Sequence, residues 1–326
     1  MRRSLLSLTL AGAALLTACG AEEAAPAAPG AATVDGGTTA VRLGAIPIVD
    51  VAPVYLAQEQ GIFAEHGLEV EAFLAQGGAA IVPAVMNGEA QFGFSNVTSL
   101  LQAEARGVPL GLVAPGAGPT GDPAADYALV MVAGDSAYRT AADLEGGRVG
   151  INTINNISDT VVRESVRQAG GDPSGIEFVE IPFPDMVAAV ASGQVDAAFV
   201  VEPFATLGAA QGLRSVAAPY TETAEDLTVA GYFTSDRYAA ENPDVVRRFT
   251  AAMAEANAYA QANPDAVREV LGSYTSIPPE VAAQLTLPDF QTEVNEDSVA
   301  RLLELGEQDG IIEGDVEVSD VLTDVG

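Results

Sequence analysis

Apolar runs that stop at proline or glycine alternate along this chain with stretches whose apolar positions recur every three to four residues. The first cycle spans Val41 to Leu74. Val41–Pro47 is a short apolar run closed by a proline and predicts a buried strand. Asp50 stands where it can cap a helix over Val54–Gln60, Pro53 falls in that helix's first turn, and Gly61 can take the left-handed stop. Leu68–Leu74 alternates apolar and polar residues and predicts a second strand. Strand, helix and strand in this order form a βαβ unit, which requires a parallel sheet. Such sheets hold ligands in the crevice at the carboxyl ends of their strands.

The cycle recurs downstream. Ile81, Val82, Val85 and Met86 share one face of a helix that stops at Gly88; Gln91–Phe94 is the next strand, and Ser95-Asn96 cap the helix after it. A strand at Val108–Ala114 and a Gly/Pro-rich loop lead to Tyr127–Val132, read as the first passage into a second lobe. There, strands at Arg148–Ile151, Ile176–Ile181 and Asp196–Val200 alternate with helices. One helix buries Ile157, Val161, Val162 and Val166, and another is capped by Asp185 and ends at Gly193. Leu227–Phe233 is read as the return passage. Ala84–Phe94 and Ala189–Phe199 line up as helix, glycine stop and strand, each followed by polar residues at the strand end: Ser95 and Asn96 in one copy, Glu202 in the other. Asn242-Pro243 and Asn263-Pro264 each read as an N-cap with proline at the first helical position. The first opens a helix with Val245, Phe249, Met253, Ala256 and Ala260 on one face. The expected division is one lobe of residues 41–128 with 230–326 and a second of residues 129–229.

Composition narrows the functional classes. At 326 residues the chain exceeds what one core usually supports, in keeping with two lobes. The formal net charge is −31, and all 14 basic residues are arginine. A chain without lysine and with so few arginines lacks the basic face that nucleic-acid phosphates require. The acidity itself reads as a solvated surface. At the start, Arg2-Arg3 and the apolar Ser4–Ala14 have the form of a signal peptide over residues 1–18, too short to span a bilayer as a stable helix. Leu16-Thr17-Ala18-Cys19-Gly20 is similar to a bacterial lipobox, which makes Cys19 the lipidation site. Cys19 is the only cysteine, so no intramolecular disulfide exists. Residues 19–40, rich in Ala, Pro, Gly and Glu, read as the lipidated cysteine and a flexible tether.

Four stretches carry a family resemblance: Tyr55–Phe63, Gly67–Val70, Ala141–Gly150, and Ser192–Ala198 continuing through Glu202-Pro203. Across roughly residues 40–310 the chain resembles the substrate-binding proteins of ABC importers that handle aliphatic sulfonates, taurine, nitrate and thiamine-precursor pyrimidines. The resemblance implies a type II periplasmic-binding-protein fold: two α/β lobes, two crossover segments, and closure around a ligand by a hinge. It implies a monomer outside the cytoplasm, held at the membrane by its lipid, that passes a small molecule to an ABC permease and ATPase. It places the ligand at Asp50, Gly77, Gly78, Ser95, Asn96, Asn152, Asn155, Asn156, Ser158 and Glu202. Glycines let backbone N–H groups approach a ligand, the Asn and Ser side chains supply neutral hydrogen bonds, and helix N-termini near Ala79, Val97 and Ile157 favour an anionic group. Each position also has a purely structural reading. Asn96, Ser158 and Asp50 can be helix caps, and Asn155 and Asn156 turn formers. His66, the one histidine, sits in a turn beside Gly67 and carries no role.

Two rival functions stand against this reading. A pyrimidine synthase shares this layout but depends on a lysine Schiff base to pyridoxal phosphate and on a histidine, so the absence of lysine excludes that chemistry. One histidine and one signal-site cysteine do not build a nucleophilic triad or a metal site. No cofactor is expected. A lipoprotein of the same fold that presents ligand to a sensor is the second alternative. Within the transport reading, Asp50 and Glu202 together with the absence of arginine from the candidate loops favour an amine or nitrogen heterocycle; sulfonate, taurine or nitrate is the alternative.

Overall fold

The computed structural model describes residues 37–323; Cys19, the signal segment and most of the tether lie outside the described residues. The first apolar run forms β1 (Thr39–Ala45), parallel to β2 (Leu68–Leu74) and to β3 (Phe92–Asn96). The strand starts at Thr39, inside the stretch expected to be tether. The Thr39 amide donates to the Gly67 carbonyl, and Thr39 pairs with Leu68, which draws two more residues into the sheet. β4 (Leu110–Pro115) completes the nearby chain of this lobe, and a short β5 (Ala117–Gly118) follows. The chain then crosses as β6 (Ala128–Ala133) into a second sheet with β7 (Arg148–Ile151), β8 (Glu177–Glu180), β9 (Ala197–Val201) and β10 (Leu213–Ala217). It returns as β11 (Ala230–Ser235), and β12 (Asp289–Phe290) pairs with β5.

The first sheet has the order β2-β1-β3-β11-β4 and the second, read from its other edge, β8-β7-β9-β6-β10. The two lobes therefore match strand for strand, and each crossing strand takes the fourth place in the sheet that receives it. Neither sheet is wholly parallel, contrary to the expectation from the βαβ unit. β11 runs against β3 and β4, and β6 against β9 and β10, because a crossing strand enters the receiving sheet from the side opposite to its neighbours. β6 begins at Ala128, the last residue of the stretch expected to close the first lobe's opening segment. The glycine stops behave as their sequence positions predict: Gly61, Gly88 and Gly193 all take positive φ, of 77°, 76° and 71°.

Several caps differ from the sequence reading. Asn242 and Asn263 occupy N-cap positions, but their amides donate back to the Tyr238 and Tyr259 carbonyls of the preceding helical turn. Asp185 lies within the first turn of a helix that starts at Phe183. The 20-residue helix Pro243–Ala262 presents its predicted stripe to the first sheet, where Phe249 stacks on Phe92 with ring centroids 3.8 Å apart. The helix Glu296–Gln308 packs on both lobes rather than the first alone, against Val97–Ala105 of one and Ile157–Gln168 of the other. Arg301 bonds Glu164 at 2.9 Å, Arg167 bonds Asp309 and Glu164, and the cluster joins the lobes beside the cleft. No helix among the described residues is long and apolar enough to cross a membrane.

Candidate functional site

The polar side chains of the cleft reach it from strand ends and helix starts of both lobes. On the first lobe, β1 ends at Ala45, and a single 3-10 turn, Val49–Val51, precedes the helix Ala52–Glu59. Asp50 lies in that turn and caps no helix through its side chain. Only 2% of the residue is exposed. Oδ1 accepts a hydrogen bond from the Tyr127 hydroxyl at 3.1 Å, across the start of the crossing, while Oδ2 has no partner among the described residues. Burial disfavours the ionised carboxylate and pushes its pKa up to about 7, only partly offset by its own backbone N–H and the Tyr127 hydroxyl. The surrounding phenols of Tyr127, Tyr220, Tyr232 and Tyr274 are held well above their usual range by the same burial, so they stay neutral.

On the second lobe the loop after β7 and the helix Ile157–Gln168 form a small amide cluster. Asn156 is the N-cap, its Oδ1 accepting from the Ser158 amide at 2.9 Å. Its own amide donates to Asn152 Oδ1 at 3.0 Å, and the Ser158 hydroxyl donates to the same oxygen at 3.2 Å. Asn96 caps the helix Val97–Ala105 on the facing lobe through the Ser99 amide. Asp50, Asn96, Asn152, Asn156 and Ser158 line one interlobe cavity together with the rings of Phe94, Phe183 and Tyr220, and no basic side chain lines it. The cavity measures about 30 Å³, room for little more than a water, so an organic molecule enters only as the lobes part. A larger hollow of about 420 Å³ beside Arg268 lies away from this cleft, and Arg268 is already bonded to Asp265 and the Leu285 carbonyl.

The other candidate residues do not line the cavity. The Glu202 carboxylate accepts from the Thr206 amide, the Thr206 hydroxyl at 2.7 Å and the Thr286 amide at 3.2 Å. Its backbone donates to the Tyr127 carbonyl and accepts from the Val49 amide. Glu202 thus ties the crossing, the Asp50 turn and the C-terminal region together, and burial raises its pKa against those bonds. Asn155 is exposed at a positive φ of 56°, a backbone state Asn tolerates better than most residues, and its carbonyl accepts from Gln102 of the facing lobe. Gly77 sits where a Cβ would come within 2.7 Å of Thr153 Oγ1, so its lack of a side chain lets the lobes approach. Gly78 packs on Ser95, whose hydroxyl is turned to the Asn96 carbonyl. A Cβ at Gly78 would lie 2.9 Å from the Ser95 Cα, a backbone atom that cannot rotate away. Gly78→Ala is therefore expected to destabilise by about 1–3 kcal/mol, with a melting point several degrees lower, whereas Gly272→Ala, with open space around it, should leave it within a degree or two. The aromatic members of the site were not found from the sequence. Nothing local marks Tyr127 or Tyr220 as neighbours of Asp50; Phe94 reads only as the end of a strand, and nothing singles out Phe183.

Two similarly built α/β lobes, joined by two crossing strands and closing on convergent polar side chains, define the periplasmic-binding-protein fold. The chain belongs to the NMT1/THI5-like family, whose profile matches residues 48–267. Among solved structures it is similar to the periplasmic aliphatic sulphonate binding protein SsuA of Escherichia coli, with a TM-score of 0.72 and 21% identity over 87% of this chain and 97% of that one. It is also similar to the periplasmic nitrate-binding protein NrtA of Synechocystis PCC 6803, with a TM-score of 0.72 and 15% identity over 86% and 84% of the two chains. A Brucella abortus protein, named as a binding protein without a ligand in its name, is 23% identical over 62% of this chain. The match spans 60% of the length of that curated relative.

Proposed function

We propose that this protein is the extracytoplasmic solute-binding component of an ABC importer and that it captures an organic amine or a hydrogen-bond-donating nitrogen heterocycle between its lobes. Family membership and the two-lobed fold support the transport role. The single observation that carries the ligand class is the Asp50 carboxylate, buried with one oxygen unpartnered in a cavity lined by no arginine. A buried acceptor without a donor is costly, and a ligand N–H would satisfy it. Phe94, Phe183 and Tyr220 add ring faces and edges that suit a cation or a planar heterocycle. The lipobox-like segment supports anchoring through Cys19. Binding rather than catalysis is favoured by the lack of lysine throughout the chain and by the placement of His66, whose Nε2 meets Glu255 at 3.0 Å outside the cleft.

An anionic ligand is the second reading. The N-termini of the helices Val97–Ala105 and Ile157–Gln168 both open at the cleft, which favours negative charge. Asp50 opposes it. A thermal-shift screen of the purified chain against amines, pyrimidines, alkanesulfonates, taurine and nitrate separates the two. A ligand at about a thousand times its dissociation constant stabilises by roughly 4 kcal/mol, several degrees for a chain of this size. A shift by amines or heterocycles alone is expected. A shift by sulfonates or nitrate alone would overturn the ligand class and leave the transport role standing.

A further inference from the structure

A second space opens on the same cleft. It measures about 340 Å³ and shares two wall residues, Ile46 and Phe183, with the cavity that holds Asp50. Its remaining walls are mostly apolar and come from both lobes: Pro47 and Leu74 from the first, Pro182 and Pro184 from the second. Its polar members, Gln76 and Asp185, are exposed. Ile46 and Phe183 are 5% and 6% exposed, so they stand as a partition between a polar inner space and an apolar outer one. Phe183 is held from behind by Phe204, parallel to it at 6.1 Å.

The outer space also carries an uncovered large apolar side chain, Leu74. Among the described residues the large hydrophobic side chains with substantial exposure are Leu74, at 46%, and Ile154, at 39%. Leu74, the last residue of β2, lines the outer space, whereas Ile154 lies in the loop after β7 and is not one of its walls. An exposed leucine set among proline and alanine walls gives the apolar part of a ligand a surface to cover. The prolines make two of its walls stiff, so covering it costs little ordering of the protein.

We propose that the ligand is amphiphilic: a nitrogen head at Asp50 and an apolar tail that passes between Ile46 and Phe183 to lie against Leu74 and the flanking prolines. The inference rests on the head-group reading above and adds a tail subsite outside the cavity. It assigns Leu74 and Phe183 as determinants of ligand length. The parting of the lobes that admits the head also widens the gap between Ile46, on one lobe, and Phe183, on the other.

The test is calorimetric titration of the full chain with homologous n-alkylamines, methylamine to decylamine, and in parallel with the n-alkanesulfonates of equal length. Amine affinity is expected to rise by about fourfold per methylene while the tail fills the outer space, then to level off. In Leu74→Asn the gain per methylene should shrink; Leu74 is exposed, so this variant is expected to fold, and its circular dichroism and melting point check that. Amines that bind with an affinity independent of length, or a slope that Leu74→Asn leaves intact, would overturn the tail subsite while the head-group reading holds. Length-dependent binding of sulfonates alone, weakened in Leu74→Asn, would overturn the nitrogen head and retain the apolar subsite. Failure of both series to bind overturns the amphiphilic ligand, and the head-group reading is then decided by the heterocycles of the thermal-shift screen.

Discussion

Asp50→Asn is expected to weaken an ammonium ligand by about 2–5 kcal/mol, from some thirtyfold to several thousandfold, because it removes the one negative charge in the cavity. Asparagine keeps the shape and can still accept from the Tyr127 hydroxyl, so the loss reports charge rather than collapse. The same substitution carries a signature in stability against pH. The Asp50 pKa stands at about 7 in the folded chain against an ordinary value of 3.8. Between those values the folded protein holds a proton that the unfolded chain has released. The contribution of Asp50 is thus fully present below about pH 4 and is lost as pH rises towards 7, at up to about 1.4 kcal/mol per pH unit. Thermal melts of the unliganded protein across this range should therefore differ between wild type and Asp50→Asn, with the variant the more stable of the two at pH 7 and above. Binding of an ammonium ion runs the other way, strengthening as Asp50 ionises. Parallel pH profiles for the two proteins, in either stability or affinity, would show that Asp50 is not the titrating group.

Phe249→Ala is expected to cost about 3–5 kcal/mol and to lower the melting point by about 10 °C. Phe249 is fully buried and meets three aromatic rings: Phe92 at 3.8 Å, Phe63 at 6.2 Å, and the edge of Tyr232 at 5.9 Å. Phe92 and Tyr232 belong to β3 and β11, so the ring anchors the long C-terminal helix to both the strand that carries Asn96 and the returning strand. Ligand affinity, measured well below the new melting point, should change by no more than a few fold, since Phe249 does not line the cavity and stacks on Phe92 at the start of β3, whereas the cavity takes Asn96 from that strand's end. A melting point within two degrees of wild type would show that the helix is not held by this cluster.

The local half of the structure was legible from residue types. Apolar runs, proline entries and glycine stops are decided by backbone conformations that a few neighbouring residues impose, which is why Gly61, Gly88 and Gly193 end helices as expected. Asn96 caps its helix as read because an N-cap bond spans only two or three residues, whereas at the helix Ile157–Gln168 the cap is Asn156, read as a turn former, and Ser158, read as a cap, lies within the first turn. The internal match between Ala84–Phe94 and Ala189–Phe199 corresponds to helices leading into β3 and β9, which occupy the same place in the two sheets. Where local rules were extended to distant partners they failed. The sheets are mixed because the direction of a crossing strand depends on how two separately formed lobes face each other. Asn242 and Asn263 turn back to carbonyls behind them, a competition the cap position alone does not settle.

The sequence by itself determined that this chain alternates strand and helix in two similar halves, carries no lysine, and places short polar residues at strand ends where a cleft can form. Which of those residues face one another was decided by tertiary structure. Asp50 and Glu202 look alike as cleft carboxylates along the chain. Yet Glu202 is consumed by Thr206 and by Thr286, 84 residues away, while Asp50 keeps one oxygen unpartnered beside Tyr127, 77 residues away. The difference arises because a buried carboxylate takes its bonds from whatever donors the packed lobes bring within 3 Å or so, and no periodicity in the sequence encodes that distance.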